Sequence, residues 1–135
     1  MLKGDGIIAM SGEEKPNYYL KVKLGPDFID EYGQKDATLR KDSKYPPFYY
    51  TYEFDAVLPG SAFLRIEVWE DNLFQDEFVG STEIDCENRY LNPHWHCFPL
   101  EKKPIESRAI RSEYGIFTGR LSLFLEIIPV KSINS

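Results

Sequence analysis

The chain has 135 residues, of which 42% are hydrophobic, 15% aromatic and 28% charged, a composition that excludes wholesale disorder and suits one globular domain. Its net charge of −6 argues against DNA or RNA as the main partner, because nucleic-acid binders carry a basic excess. No apolar run approaches the roughly 18–20 residues of a membrane span, and the N-terminal residues lack the apolar stretch of a signal peptide.

Read in chain order, strand signals dominate. Residues 18–24 combine aromatic and β-branched side chains with lysines two apart and stop at Gly25-Pro26. Alternation puts Tyr19, Lys21 and Lys23 on one face and Leu20, Val22 and Leu24 on the other. A second strand is expected at 48–54, followed by a turn at Leu58-Pro-Gly-Ser61. Residues 63–69 alternate cleanly, with Leu64, Ile66 and Val68 in one direction and Phe63, Arg65, Glu67 and Trp69 in the other. Further strands are expected at 78–84, at 95–100 and, most strongly, at 120–128, where Leu123, Leu125 and Ile127 share a parity. The segment after Pro104, up to Gly115, reads as a short helix, although Ile105 and Ile110 define no good helical stripe. No repeat or linker divides the chain, so residues 1–135 form one domain. Many short strands with turns between them and little helix indicate an all-β, antiparallel sandwich.

Charge is unevenly spread. Residues 51–90 hold ten acids against Arg65 and Arg89 alone, whereas the flanks are neutral to basic. Two cysteines, Cys86 and Cys97, are too few for a disulfide framework, and a reducing, cytosolic setting is the default.

The segment Val68-Trp-Glu-Asp-Asn-Leu-Phe-Gln-Asp-Glu-Phe-Val-Gly80 resembles the third top loop of C2 domains, in which a strand ends in an acidic loop and restarts with a hydrophobic pair and glycine. Asn17-Tyr-Tyr-Leu-Lys-Val-Lys-Leu-Gly25 resembles the family's strand opening Asp-Pro-Tyr-Val-Lys-Val. Ala56-Val-Leu-Pro59, Leu64-Arg-Ile-Glu-Val, Ile84-Asp-Cys-Glu-Asn-Arg-Tyr90, Pro104-Ile-Glu and Gly119-Arg-Leu-Ser-Leu-Phe-Leu-Glu-Ile127 look like the C2 domains of ferlins, in the same order along nearly the whole chain. The resemblance implies an eight-stranded antiparallel C2-type β-sandwich whose loops at one end meet membranes or calcium. It also implies a tail-anchored parent with several such domains, working in vesicle trafficking and fusion on the cytoplasmic face of membranes. One departure concerns the start. Only Leu2-Lys3 precede the loop-like Gly4-Asp-Gly6, so the first strand is either truncated, leaving an unpaired edge, or shortened and formed by residues 6–10.

Calcium-binding C2 domains usually supply five aspartates from two loops, because the ion takes roughly 6–8 oxygen ligands and their charge balances its own. By the resemblance, the five positions here hold Ser11, Asn17, Glu70, Asn72 and Asp76. Two carboxylates stand where five are usual, which implies a degenerate site and calcium as at most a weak cofactor. The alternative is a calcium-dependent phospholipid-binding domain in which the neighbours Glu13, Glu14, Asp71 and Glu77 substitute. The loop tip Leu73-Phe74 either inserts between lipid head groups or folds back on the sandwich. Lys21 and Lys23, with Lys35, Arg40, Lys41 and Lys44 in the following connection, form either an anionic-lipid patch or a plain solvated face.

His94-Trp-His96-Cys97 has metal-ligating residue types but no second ligand pair near it, so a loop with packed aromatics is the better reading. No nucleophile elbow, phosphate-cradling glycine loop or metalloprotease histidine pair is present, and an enzyme is not expected. The sequence therefore points to a non-catalytic module whose partner is a phospholipid surface or another protein.

Overall fold

A computed structural model of the chain describes residues 2–5, 16–25, 30–31, 35–41, 43, 45–52, 54, 63–91 and 105–125. Its elements in chain order are β1 (Leu2–Asp5), β2 (Tyr18–Leu24), β3 (Asp30–Glu31), the one-turn helix α1 (Lys35–Thr38), β4 (Phe63–Glu70), β5 (Glu77–Asp85), α2 (Cys86–Leu91), β6 (Glu106–Arg111) and β7 (Phe117–Leu123). The strands pair antiparallel in the spatial order β1-β7-β6-β5-β4-β2-β3.

Period-2 alternation decides which face each strand buries. Leu20, Val22 and Leu24 of β2 stand opposite Val68, Ile66 and Leu64 of β4, and all six are buried. Ile84 of β5 lies across from Leu64. From β6 and β7, Ile110, Leu121 and Leu123 join the same apolar cluster, together with Phe48. Each such side chain, taken fully out of water, contributes about 1.5–3 kcal/mol. Although the strand order is continuous, β5 and β6 meet through a single residue pair, Ser81 with Arg111. The sheet turns over at that seam, so that β3-β2-β4-β5 faces β6-β7-β1 across one core. This is an all-β antiparallel sandwich of the C2 type.

The seam is tight. A Cβ on Gly80 would lie 2.6 Å from Thr118 Oγ1 and 3.1 Å from the Arg111 carbonyl oxygen. Thr118 is held there because its hydroxyl donates to the Ile110 carbonyl at 3.2 Å. One step earlier the β4–β5 register shifts. Val68 pairs with Gly80 and Trp69 with Phe78, which leaves Val79 as the extra residue of a bulge. The bulge changes the buried parity of β5, so that Val79, the bulged residue, and then Thr82 and Ile84 are all buried. At the opposite end, Asp85 caps α2 by accepting the Asn88 N–H at 3.0 Å. Arg89 of α2 forks onto both carboxylate oxygens of Glu106, and Arg108 adds a bond to Glu106 at 3.2 Å.

Four sequence expectations change. The segment expected as a helix after Pro104 is β6 instead. Its partner β7 is six residues away through a tight turn, and the single buried Ile110 serves a strand face better than a helical stripe. Residues 48–54 do not make a regular strand among the described residues: Tyr50 forms an isolated bridge. The Phe48 N–H turns back to the Pro46 carbonyl, and Tyr49 has φ 43°, which interrupts extended backbone. The last strand is shifted, covering Phe117–Leu123 rather than 120–128. Its parity holds, since Leu123 is buried and Leu125 packs half-buried on the core. Gly4 and Asp5 are strand rather than loop, paired with Leu121 and Arg120. The expected strand at 95–100, the turn at 58–61, Ile127 and residues 6–10 lie outside the described residues.

Gly80→Ala should cost roughly 1–3 kcal/mol in urea unfolding, the range for forcing one carbon into a packed site. In a Thr118→Ala background, where the nearer obstacle is gone, the same substitution should cost less. Equal costs in both backgrounds would show that the seam does not depend on this contact.

Candidate functional site

β4 runs outward to Glu70 and β5 returns from Glu77, so residues 71–76 form a hairpin loop at one end of the sandwich. β2 begins at the same end, because Tyr18 pairs with Glu70. Asn17 therefore lies beside this loop, and the Asp71 N–H donates to the Asn17 carbonyl at 2.8 Å.

Asp76 is the hub of the loop. Its Oδ2 accepts the Tyr19 hydroxyl at 2.7 Å and the Lys35 ammonium at 3.0 Å. Its Oδ1 accepts the Asn72 N–H at 3.2 Å, which closes the turn. Lys35 also donates to Asp71 Oδ1 at 2.6 Å and stands 5.2 Å from the centre of the Tyr19 ring. The Tyr19 hydroxyl, then the lysine and the Asn72 N–H, outweigh burial and hold the Asp76 carboxyl at about 2. Lys35 is shifted upward by its bonds to Asp71 and Asp76. Tyr19 is raised, first by burial and then by its bond to Asp76. An internal ammonium thus lies between the two aspartates of the loop.

Asn72 and Asp76 come together, joined by Asp71. Asn17 contributes its backbone carbonyl to the loop. Glu70 has no exposed surface and points into the protein beside Tyr18, whose hydroxyl burial and then the Glu70 charge keep protonated. Ser11, Glu13 and Glu14 lie outside the described residues. Leu73 and Phe74 stand clear of the protein, 91% and 96% exposed. Glu77 is exposed as well. Among the described residues no group of three histidine, cysteine or acidic side chains is disposed to hold a metal ion. His94, His96 and Cys97 lie outside them.

Of the basic residues, Lys44 lies outside the described residues. Lys21 and Lys23 share the outward face of β2, where Lys21 stacks 4.3 Å from the Trp69 ring centre and Lys23 lies 3.6 Å from Glu67. Arg40 turns its guanidinium onto the carbonyls of Pro47, Phe48, Ala37 and Leu39. Lys41 is exposed. Tyr19 is a member of the site that sequence reasoning missed, and Lys35, singled out there among the basic residues of the connection, was not linked to this loop. Lys35 is 36 residues from Asp71 and 41 from Asp76, so no local spacing marks it.

Among the described residues no helix is long and apolar enough to cross a membrane. The family model of the C2 domain matches residues 1–98. Over 124 residues, 84% of the chain, the sequence is 28% identical to Ferlin 2 of Toxoplasma gondii, covering 8% of that protein. It is 36% identical to mouse Myoferlin over 75 residues, 55% of the chain and 4% of that protein. It is 32% identical to human Inactive phospholipase C-like protein 1 over 94 residues, 70% of the chain and 8% of that protein. The chain spans less than a tenth of the length of these relatives. C2 domains are generally non-catalytic modules that bind membranes or proteins. By its family match, its sandwich and its ferlin homologues, this chain belongs to the C2 domain family.

Proposed function

We propose that this chain is a calcium-independent C2 module of a ferlin-like protein, which docks on a phospholipid surface through the Leu73-Phe74 tip. The parent protein then acts in membrane trafficking and fusion, tail-anchored, with this domain at the cytoplasmic face. The observation that carries the reading is the Lys35 ammonium bonded to both Asp71 and Asp76. In a calcium site those carboxylates would neutralise a bound ion, whereas here a covalently attached cation already does so. Glu70, at a family calcium position, is turned inward and buried, which removes one further carboxylate from the loop surface. The two exposed apolar side chains at the tip supply the area that a lipid interface would cover.

A second reading keeps calcium. Asp71 and Asp76 already share one cation, and calcium could displace the lysine if Glu13, Glu14 and Glu77 converged on the same loop. The two readings separate on thermal unfolding. A site of roughly 10 µM affinity would stabilise the domain by about 2.7 kcal/mol at 1 mM calcium. That corresponds to a melting shift on the order of 5–15 °C. The expected shift is below about 2 °C, and a larger, saturable one that magnesium does not reproduce would establish the second reading.

The clamp also sets an acid dependence. The Asp76 carboxyl lies at about 2, below its ordinary 3.8, so the folded state favours the ionised form. Its contribution is complete above the ordinary value and is lost as pH falls from about 4 through about 2. Asp76→Asn should therefore lower the melting temperature at pH 6, and the gap to the parent chain should narrow toward pH 2. A gap that stays constant across this range would remove Asp76 as the ionised hub.

A further inference from the structure

The loop at 71–76 is not the only apolar tip at its end of the sandwich. β4, β5, β6 and β7 are successive antiparallel neighbours, so the β6–β7 turn leaves from the same end as the β4–β5 turn. The pair Ser81–Arg111 lies four residues down β5 from Glu77, so the second turn is set back along the strands by roughly 10 Å from the start of the first. The second turn exposes Tyr114 (80%), Ile116 (63%) and Phe117 (44%). It lies beyond residue 98, outside the stretch matched by the C2 family model.

We propose that the 112–117 hairpin is a second lipid-contacting tip, so that the domain meets a zwitterionic bilayer through two apolar points at the same end of the sandwich. The proposal rests on the membrane-docking reading given above for Leu73 and Phe74. The turn's backbone is what favours lipid as the occupant. The Ser112 N–H donates to the Ile116 carbonyl and the Gly115 N–H to the Ser112 carbonyl, at 2.8 and 2.9 Å. Ser112 Oγ accepts the N–H groups of both Tyr114 and Ile116, at 3.3 Å each. Arg111 Nη1 donates to the Gly115 carbonyl at 3.3 Å, and Gly115 adopts the φ of 78° that the turn requires. The donors next to the apolar side chains are thus satisfied inside the turn. That is the condition for entering a medium without hydrogen-bonding partners. At the base of the first tip, Asp76 accepts the Asn72 N–H and the Asn17 carbonyl accepts the Asp71 N–H.

Charge selects the kind of surface. Besides the buried Glu70, the two hairpins carry Asp71, Asp76, Glu77 and Glu113 against Arg111, with Lys35 brought in from α1. An acidic rim gains nothing from anionic head groups, so the apolar side chains must supply the attraction and phosphatidylcholine should suffice. Tyr114 has the amphipathic ring that suits the interfacial layer.

The test is flotation of the 135-residue chain with phosphatidylcholine vesicles in chelator. Three forms are compared: the parent chain, Leu73→Ser with Phe74→Ser, and Tyr114→Ser with Ile116→Ser. All four side chains are well exposed, so both variants should melt with the parent chain. Each pair should lower the partition coefficient roughly tenfold or more, the loss expected for removing about two partly buried apolar groups. If the second pair floats like the parent chain while the first does not, the second tip is wrong and the docking reading stands. If the parent chain itself does not float, the docking reading fails and this inference with it. Exchanging a third of the lipid for phosphatidylserine should leave binding unchanged or weaker. A marked gain there would assign the contact to the basic residues and overturn the two-tip arrangement.

Discussion

The contact that the rest of the structure depends on is the close approach of Gly80 to Thr118 and the Arg111 carbonyl. A sheet of seven strands in one plane would leave one apolar face in water. Here it turns over where β5 and β6 share a single residue pair, and the two halves bury each other. Only a residue without a side chain fits at that fold-over. The bulge beside it lets Val79 and Ile84 both reach the core although they differ in parity, and it leaves Trp69 and Phe78 edge to face on the outside, 5.6 Å apart. The loop at 71–76 begins directly beyond this bulge, so its direction is inherited from the seam.

On the outward face of β4 a carboxylate is buried by its own neighbours. Glu67 is 4% exposed, and its oxygens accept Arg65 Nε at 2.7 Å and Trp69 Nε1 at 3.0 Å. Lys23 adds charge from the adjacent strand at 3.6 Å. Lys23 and Arg65 balance a desolvated acid, and Lys21 lies over an indole ring. The exposed edge of β2 is handled in the same economical way. Thr38 of α1 takes the Leu20 N–H at 2.9 Å, and Tyr18 exchanges backbone bonds with Arg40.

That docking of α1 also delivers Lys35 to the loop. A short helix pinned to β2 through Thr38 projects the lysine three residues earlier toward Asp71 and Asp76. The loop's order therefore comes from an ion pair within the fold, whereas in a calcium site it comes from the metal.

The sequence alone determined the strands with strict period-2 alternation. In β2 and β4 the aliphatic residues Leu20, Val22, Leu24, Leu64, Ile66 and Val68 keep one parity, and a one-residue slip would turn all six away from the core, so local pattern and tertiary burial had to agree. It also determined the order of strand, acidic loop and strand around 68–80, which carried the C2 resemblance, and it marked Leu73 and Phe74 as apolar residues in a polar turn. The tertiary structure decided what local pattern cannot encode. It made β6 from a segment that reads as a weak helix, because β7 offers a ladder of hydrogen bonds to an otherwise ambiguous stretch. It turned Glu70 inward and brought Lys35 across the fold to the acids, since a charge pair 36 residues apart leaves no spacing to read. It put the Tyr114–Phe117 turn at the same end of the sandwich as the Leu73–Phe74 tip, because only the order of strands in the sheet determines which loops share an end.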